Sequence, residues 1–257
     1  MSKDRRVFKW PKNENAKLWR YMSFTKFVSL LETKSLWFSR ASCFEDTHEG
    51  SAAVSTVFLR KIAEKPPREI DRPSHELIQK HLEANPKLRE IVYINCWHLN
   101  DRESVAMWKL YGGCEEAIAI TTKFSKLLQL LPHDCKLGEV EYIDYELGTR
   151  QDLTRPYGLF MSKRLSFAHE QEVRAMFHID PDNAPGVAFS EQVDGTQRCF
   201  MTPVGYPQEI DVDKLIDEVF VAPTAPDWFK DLVKSICNKY DFNKEVFRSD
   251  LDRDPVY

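Results

Sequence analysis

The chain has no run of about 20 apolar residues, the length a helix needs to cross a bilayer. Its start, Met1-Ser2-Lys3-Asp4-Arg5-Arg6, carries charge with no apolar stretch behind it, so no secretory signal is read there. These two absences lead to the expectation of a cytoplasmic protein without membrane partners. Closely spaced cysteines are missing too. Cys43, Cys96, Cys114, Cys135, Cys199 and Cys237 stand at least eighteen residues apart. Without a CxxC pair, neither a zinc ribbon nor a redox dithiol is indicated, and no metal site is expected. In a reducing compartment the six cysteines are expected as free thiols. No internal repeat or low-complexity tract is present. The net charge of −4 gives no broad basic surface for nucleic acid.

What is present describes a folded protein. Hydrophobic residues make up 42% of the 257 and charged residues 30%, enough to build one large core. The charge is uneven. Residues 1–17 hold Lys3, Arg5, Arg6, Lys9, Lys12 and Lys17 against Asp4 and Glu14, which leaves +4 there and −8 on the rest. Residues 1–17 are read as a basic, partly flexible arm that can touch phosphate or nucleic acid, and residues 18–257 as a single domain.

Periodicity divides that domain. Strands are expected at 18–22, 35–39, 91–97, 117–121, 140–143, 173–179, 218–222 and 245–248, with 186–193 able to pair with 173–179. Helices are expected at 23–32 with Ser23 as cap, at 102–110 capped by Asp101 and ended by Gly112-Gly113, at 123–131, and at 226–240. The stretch 51–90, interrupted by Pro66-Pro67 and Pro73, reads as a helical insertion. Several strands lie too close in sequence for helical crossovers. The expected fold is therefore α+β, a mixed, largely antiparallel sheet flanked by helices.

Four clusters could carry chemistry. Trp19-Arg20-Tyr21 places a cation between aromatics in a strand, where it needs a partner or an exit to water. Phe38-Ser39-Arg40 runs into a loop with Phe44, Asp46, Glu49 and Gly50, either a ligand rim or a set of internal ion pairs. Cys96-Trp97-His98 precedes Ser104, Trp108 and Tyr111, which fall on one face of a regular helix, as core or as a surface for stacking a base or nicotinamide ring. The last cluster is Lys163, His169, Glu170, Glu172 and Arg174. Extended, its two glutamates share a strand face roughly 7 Å apart. One could act as general base while the other stabilises a developing cation, with Arg174 lowering a carboxylate pKa. A solvent-facing charge ladder fits the same pattern.

Taken together these segments resemble a bacterial family known as domain of unknown function 2971. The resemblance rests on Trp19-Arg20-Tyr21, on Phe38-Ser39-Arg40 with Phe44-Glu45-Asp46 and Glu49-Gly50, and on Cys96-Trp97-His98 with Glu103-Ser104-Val105-Ala106-Met107-Trp108 and Tyr111. It continues through Phe167 and Glu170-Gln171-Glu172-Val173-Arg174 to Val219–Pro223 and Val246-Phe247-Arg248-Ser249. The order Arg20, Ser39, Glu170-Gln171-Glu172 is also similar, more distantly, to ADP-ribosyltransferases, which use an early Arg or His, a Ser-rich second element and a late E-x-E pair. That similarity implies a nucleotide-type ligand, with NAD as the candidate cofactor. Arg20, Tyr21, Ser39, Arg40, Trp108 and Tyr111 would bind it, and Glu170, Glu172 and Arg174 would be catalytic. Two alternatives stand beside it. One is a non-catalytic nucleotide or nucleic-acid sensor. The other is a metal-dependent nuclease using Asp46, Glu49, Glu170 and Glu172.

Overall fold

In the computed structural model the described residues are 8–51, 88–112, 115–146, 157–180, 188–191 and 198–252. The expected insertion at 51–90 lies almost wholly outside them, as do residues 1–7 of the basic arm. From Phe8 onward that arm is packed down. Phe8 and Trp10 are buried, and the Trp10 indole donates to the Leu137 carbonyl at 3.1 Å.

The strands are β1 (Lys17–Ser23), β2 (Ser35–Arg40), β3 (Val92–Leu99), β4 (Ala117–Lys123), β5 (Lys136–Glu139), β6 (Glu141–Ile143) and β7 (Ser162–Arg164). They continue with β8 (Glu172–His178), β9 (Ala188–Glu191), β10 (Arg198–Met201), β11 (Gly205–Glu209), β12 (Glu218–Val221) and β13 (Val246–Arg248). Helices among the described residues include α1 (Phe24–Thr33), the short α2 (Val105–Met107), α3 (Phe124–Leu130), the short α4 (Val212–Leu215) and α5 (Asp227–Lys239). Among the described residues no helix is long and apolar enough to cross a membrane. The expected mixed, largely antiparallel sheet is present; among the described residues it has nine strands, with β12–β13 its parallel pair.

The topology has one branch. Strand β8 pairs with β3 along Val92–His98 and fills one of its edges. The other edge is shared. Residues Tyr93 and Ile94 pair with β2, and His98 and Leu99 pair with β1. Asn95, Cys96 and Trp97 have no ladder partner on that side, so the sheet splits there into β11–β2–β3–β8–β5 and β3–β1–β4–β12–β13.

Strand alternation sorts the side chains into two layers. Leu18, Met22, Ile118, Ile120, Val219 and Val221 join the helix residues Phe27, Phe124, Leu127, Phe229 and Val233 in the main core. Helix α1 begins where the Ser23 hydroxyl accepts from Lys26 N–H, and it buries Phe27, Leu30 and Leu31, each stabilising by roughly 1.5–3 kcal/mol. Opposite, Trp19, Tyr21, Cys96, His98, Glu172 and Arg174 share a face by register.

Some expectations are corrected. The pairing of 186–193 with 173–179 does not form; β9 pairs with β10 instead. Strand β8 begins at Glu172, because Glu170 ends a 3₁₀ turn (Leu165–Glu170) and Gln171 adopts left-handed φ of 40°. The regular helix at 102–110 is a short α2, capped by Ser104 rather than Asp101 and followed by a π-helical turn, Trp108–Gly112.

Gly50 fixes the turn beside the site. Its φ is +68°, and a Cβ there would lie 2.3 Å from the Phe160 ring. Gly50→Ala is expected to cost about 1–3 kcal/mol through backbone strain and to lower Tm by about 2–4 °C for each kcal/mol, read by thermal unfolding.

Candidate functional site

The split edge and the polar face meet at Cys96. On β8, antiparallel register sets Arg174 opposite Cys96 and Glu172 opposite His98. Arg174 is fully buried. Its Nε and Nη2 donate to the two oxygens of Glu172 at 2.9 and 3.0 Å, Nη2 also donates to Glu49 at 2.9 Å, and Nη1 reaches Glu49 and the Phe160 carbonyl. Lys163 on β7 pairs with Glu170 and lies 3.5 Å from Glu172. The polar face of β8 is therefore no solvent ladder. Glu170, Glu172 and Arg174 are buried among their own counter-charges. Three carboxylates, Glu49, Glu170 and Glu172, face two cations, Arg174 and Lys163.

The electrostatics follow from that packing. Burial works against the Glu172 charge, but Arg174 and Lys163 outweigh it and hold the carboxyl down to about 2. Burial also opposes the Lys163 charge, yet Glu172 and Glu170 raise its pKa above the ordinary value. Cys96 goes the other way: burial, with Glu172 adding to it, pushes the thiol well up, so it is neutral at pH 7. Burial lowers the His98 pKa. The neutral ring lies 2.6 Å from the Glu170 carbonyl through Nδ1 and 3.3 Å from the Asn100 amide through Nε2, partners that place the proton on Nδ1.

Arg20 reaches the split from β1. It is half-buried, its guanidinium lies over the Trp97 ring at 5.7 Å, and Nη2 donates to the Trp37 carbonyl at 3.4 Å. Asn95 binds the same carbonyl at 2.8 Å. No carboxylate among the described residues forms an ion pair with Arg20. Burial lowers its pKa to about 10, with only the Cys96 sulfur opposing.

The other expected residues separate into two groups. Tyr111 comes to the cluster: its ring is 47% exposed and its hydroxyl donates to Glu170 at 3.0 Å. Ser39 is half-buried on the face of β2 that register aligns with Ile94 and Cys96. Tyr21 is buried beside His98, and its hydroxyl accepts from Ser104 N–H at 2.9 Å. Trp108 is turned inward, edge-on to Tyr21 at 5.0 Å with its indole donating to Glu103 at 2.9 Å. The π-helical turn widens the spacing between Trp108 and Tyr111, so the two do not form the stacking face a regular helix predicts. Arg40 is held elsewhere, by the Thr202 carbonyl at 2.7 Å and by Glu90 at 3.1 Å.

The nuclease alternative meets a chemical obstacle. The place a divalent ion would take among Glu49, Glu170 and Glu172 holds a guanidinium and an ammonium, and Asp46 is paired with Arg164. Among the described residues no group of three or more His, Cys, Asp or Glu side chains is arranged for a metal.

The residues that sequence reading left out are Asn95, a polar residue inside an apolar strand, and Tyr142 on β6, whose hydroxyl accepts from Glu172 N–H at 2.8 Å.

No family model matches the chain, and no curated protein matches it. Among solved structures it is similar to DarT of Thermus sp. 2.9 in complex with NAD+, at 11% identity and TM-score 0.37 over 93% of this chain and 97% of that one. The same protein in complex with carba-NAD+ gives 10% identity and TM-score 0.37 over 93% and 98%. In complex with ADP-ribosylated ssDNA it gives 9% and 0.36 over 94% and 95%.

Two outcomes test this network. Arg174→Met leaves Glu49 and Glu172 buried without their counter-charge and is expected to destabilise by about 3–5 kcal/mol in chemical denaturation. The folded Glu172 pKa of about 2 lies below the ordinary 4.5, so its contribution is full above 4.5 and is lost as pH falls through that interval. Wild-type Tm should drop across this window, and Glu172→Gln should flatten the drop.

Proposed function

We propose that this chain binds an NAD-type dinucleotide over Cys96 and cleaves it, passing the ADP-ribosyl part to water or to another nucleophile. The observation that carries the reading is Arg20, a guanidinium in the opening of the split sheet to which no carboxylate among the described residues is paired. An unpaired, half-buried cation is costly unless a ligand supplies the anion. A planar guanidinium suits the paired oxygens of a diphosphate. On the far side of Cys96 the carboxylates outnumber their cations by one, which favours a positive group there. A ligand with a diphosphate at one end and a pyridinium ring at the other matches this separation of charge, and the half-exposed Tyr111 ring offers the pyridinium a face.

The reaction uses the same groups. The bond between ribose C1′ and the nicotinamide nitrogen breaks, and its electron pair goes to the ring, which becomes neutral. Glu172, held ionised, stabilises the positive charge that develops on the ribose. Water or an acceptor hydroxyl bonds to C1′ and its proton passes to Glu170. For that step Glu170 must exchange the Tyr111 hydroxyl for the nucleophile.

One observation favours the non-catalytic sensor: both glutamates are buried and already ion-paired in the free protein. Two measurements divide the readings, stabilisation of the fold by NAD and release of nicotinamide. Arg20→Met should leave the unliganded Tm unchanged or higher and weaken NAD binding about tenfold or more. Glu170→Gln should still bind NAD but lose at least about 100-fold in nicotinamide release. NAD stabilisation without nicotinamide release would select the sensor. Binding that ignores Arg20→Met would remove both readings.

A further inference from the structure

Strands β6 and β7 form a two-stranded sheet separate from the main one, and their parallel register sets Tyr142 beside Lys163. Both reach the carboxylates on β8: Lys163 pairs with Glu170 and approaches Glu172, and Tyr142 binds the Glu172 backbone. The two hydrogen bonds differ in sense. At Tyr142 the phenol oxygen is the acceptor, taking Glu172 N–H at 2.8 Å. An acceptor held this way keeps its own proton for another partner. Among the described residues nothing takes that proton, although Glu170 and Glu172 are close enough to push the phenol pKa up, behind the larger effect of burial. Tyr142 therefore stays protonated across the working pH range. On the same cluster Tyr111 already donates its hydroxyl hydrogen bond to Glu170.

The geometry points to Tyr142 as a substrate-facing donor, its O–H directed at an oxygen of the bound ribosyl group beside Glu170 and Glu172. This rests on the reading of the site as one for a ribosyl nucleotide. The main-chain bond from Glu172 holds the phenol oxygen while the O–H remains free to turn to the ligand. A hydroxyl donor set against a ribose oxygen fixes the sugar beside the ionised carboxylates; that oxygen becomes a poorer acceptor as positive charge develops on the sugar, so the contribution appears in ground-state affinity more than in the rate.

The test uses the full chain and NAD as probe. Tyr142→Phe removes the donor and also the acceptor for Glu172 N–H, so a fluorinated tyrosine placed at position 142 is the companion variant. It keeps both hydrogen bonds and lowers the phenol pKa. The expected result is that Tyr142→Phe weakens NAD binding by about tenfold or more while kcat for nicotinamide release stays within about threefold of wild type. The fluorotyrosine protein should lose NAD affinity at alkaline pH, a dependence that a purely packing role for the ring would not produce. Equal NAD affinity in Tyr142→Phe, or an unchanged pH dependence of affinity in the fluorotyrosine protein, would overturn the assignment while leaving Arg20-dependent NAD binding intact. Wild-type protein that neither binds nor cleaves NAD would overturn the site reading, and this assignment with it.

Discussion

The site depends on one buried guanidinium. Arg174 has no exposed surface and binds groups from three separate stretches of chain: Glu172 on its own strand, Glu49 in the loop after β2, and the Phe160 carbonyl in the 3₁₀ turn Gly158–Met161. A cation in that position costs several kcal/mol to desolvate unless its donors are matched, and here they are met by two carboxylates and a carbonyl. The consequence is geometric as much as energetic. Loop and turn are tied to the centre of the sheet, the Glu172 carboxylate is held at both oxygens, and Lys163 completes the set from a different sheet. Gly50 follows Glu49 at positive φ against Phe160, so the backbone that delivers the carboxylate and the Phe160 ring fit only without a side chain between them.

The branch in the sheet supplies the second constraint. Strand β3 cannot pair with β1 and β2 along its whole edge, so the residues between the two pairings must satisfy their surroundings with side chains. Asn95 does so for the Trp37 carbonyl and for the Trp97 indole, which donates to its side-chain oxygen at 2.7 Å. Arg20 fills the remaining width. In an unbroken sheet this position on β1 would be an apolar core residue, as its neighbours Leu18 and Met22 on the same face are. The split lets a cation stand there over the Trp97 ring.

Much of the scaffold was legible in the sequence because it obeys local rules. Ser23 followed by Phe27 and Leu31 gives a capped amphipathic helix, and the alternation of 218–222 and the period of 226–240 give β12 and α5. Other elements were hidden for identifiable reasons. Pro207 argues against a strand, yet β11 lies at the edge of the sheet, where a missing N–H is tolerated. Strand β7 is three residues of polar character, visible only through its pairing with β6. A π-helical turn has no sequence signature that separates it from a regular helix, so the spacing of Trp108 and Tyr111 misled. The alternation in β8 correctly put Glu172 and Arg174 on one face, but polar alternation ordinarily means water. Here that face is covered, because Glu49 arrives from 125 residues away in sequence to neutralise it. Charge balance between distant segments cannot be read from either segment alone. The approach of Tyr111 to Glu170 was a spatial question for the same reason, and the departure of Arg40 toward Thr202 and Glu90 was equally hidden.

The charge distribution bears on what the site can bind. Arg174 between Glu49 and Glu172, with Lys163 on Glu170, leaves three carboxylates against two cations, and no carboxylate among the described residues is paired with Arg20. A mononucleotide with phosphates alone would satisfy Arg20 and be repelled by the glutamates. A simple cation would do the reverse. On the reading proposed above, a ligand that carries both signs relieves both at once, and this dipolar requirement is stricter than the presence of either a basic or an acidic cluster would be.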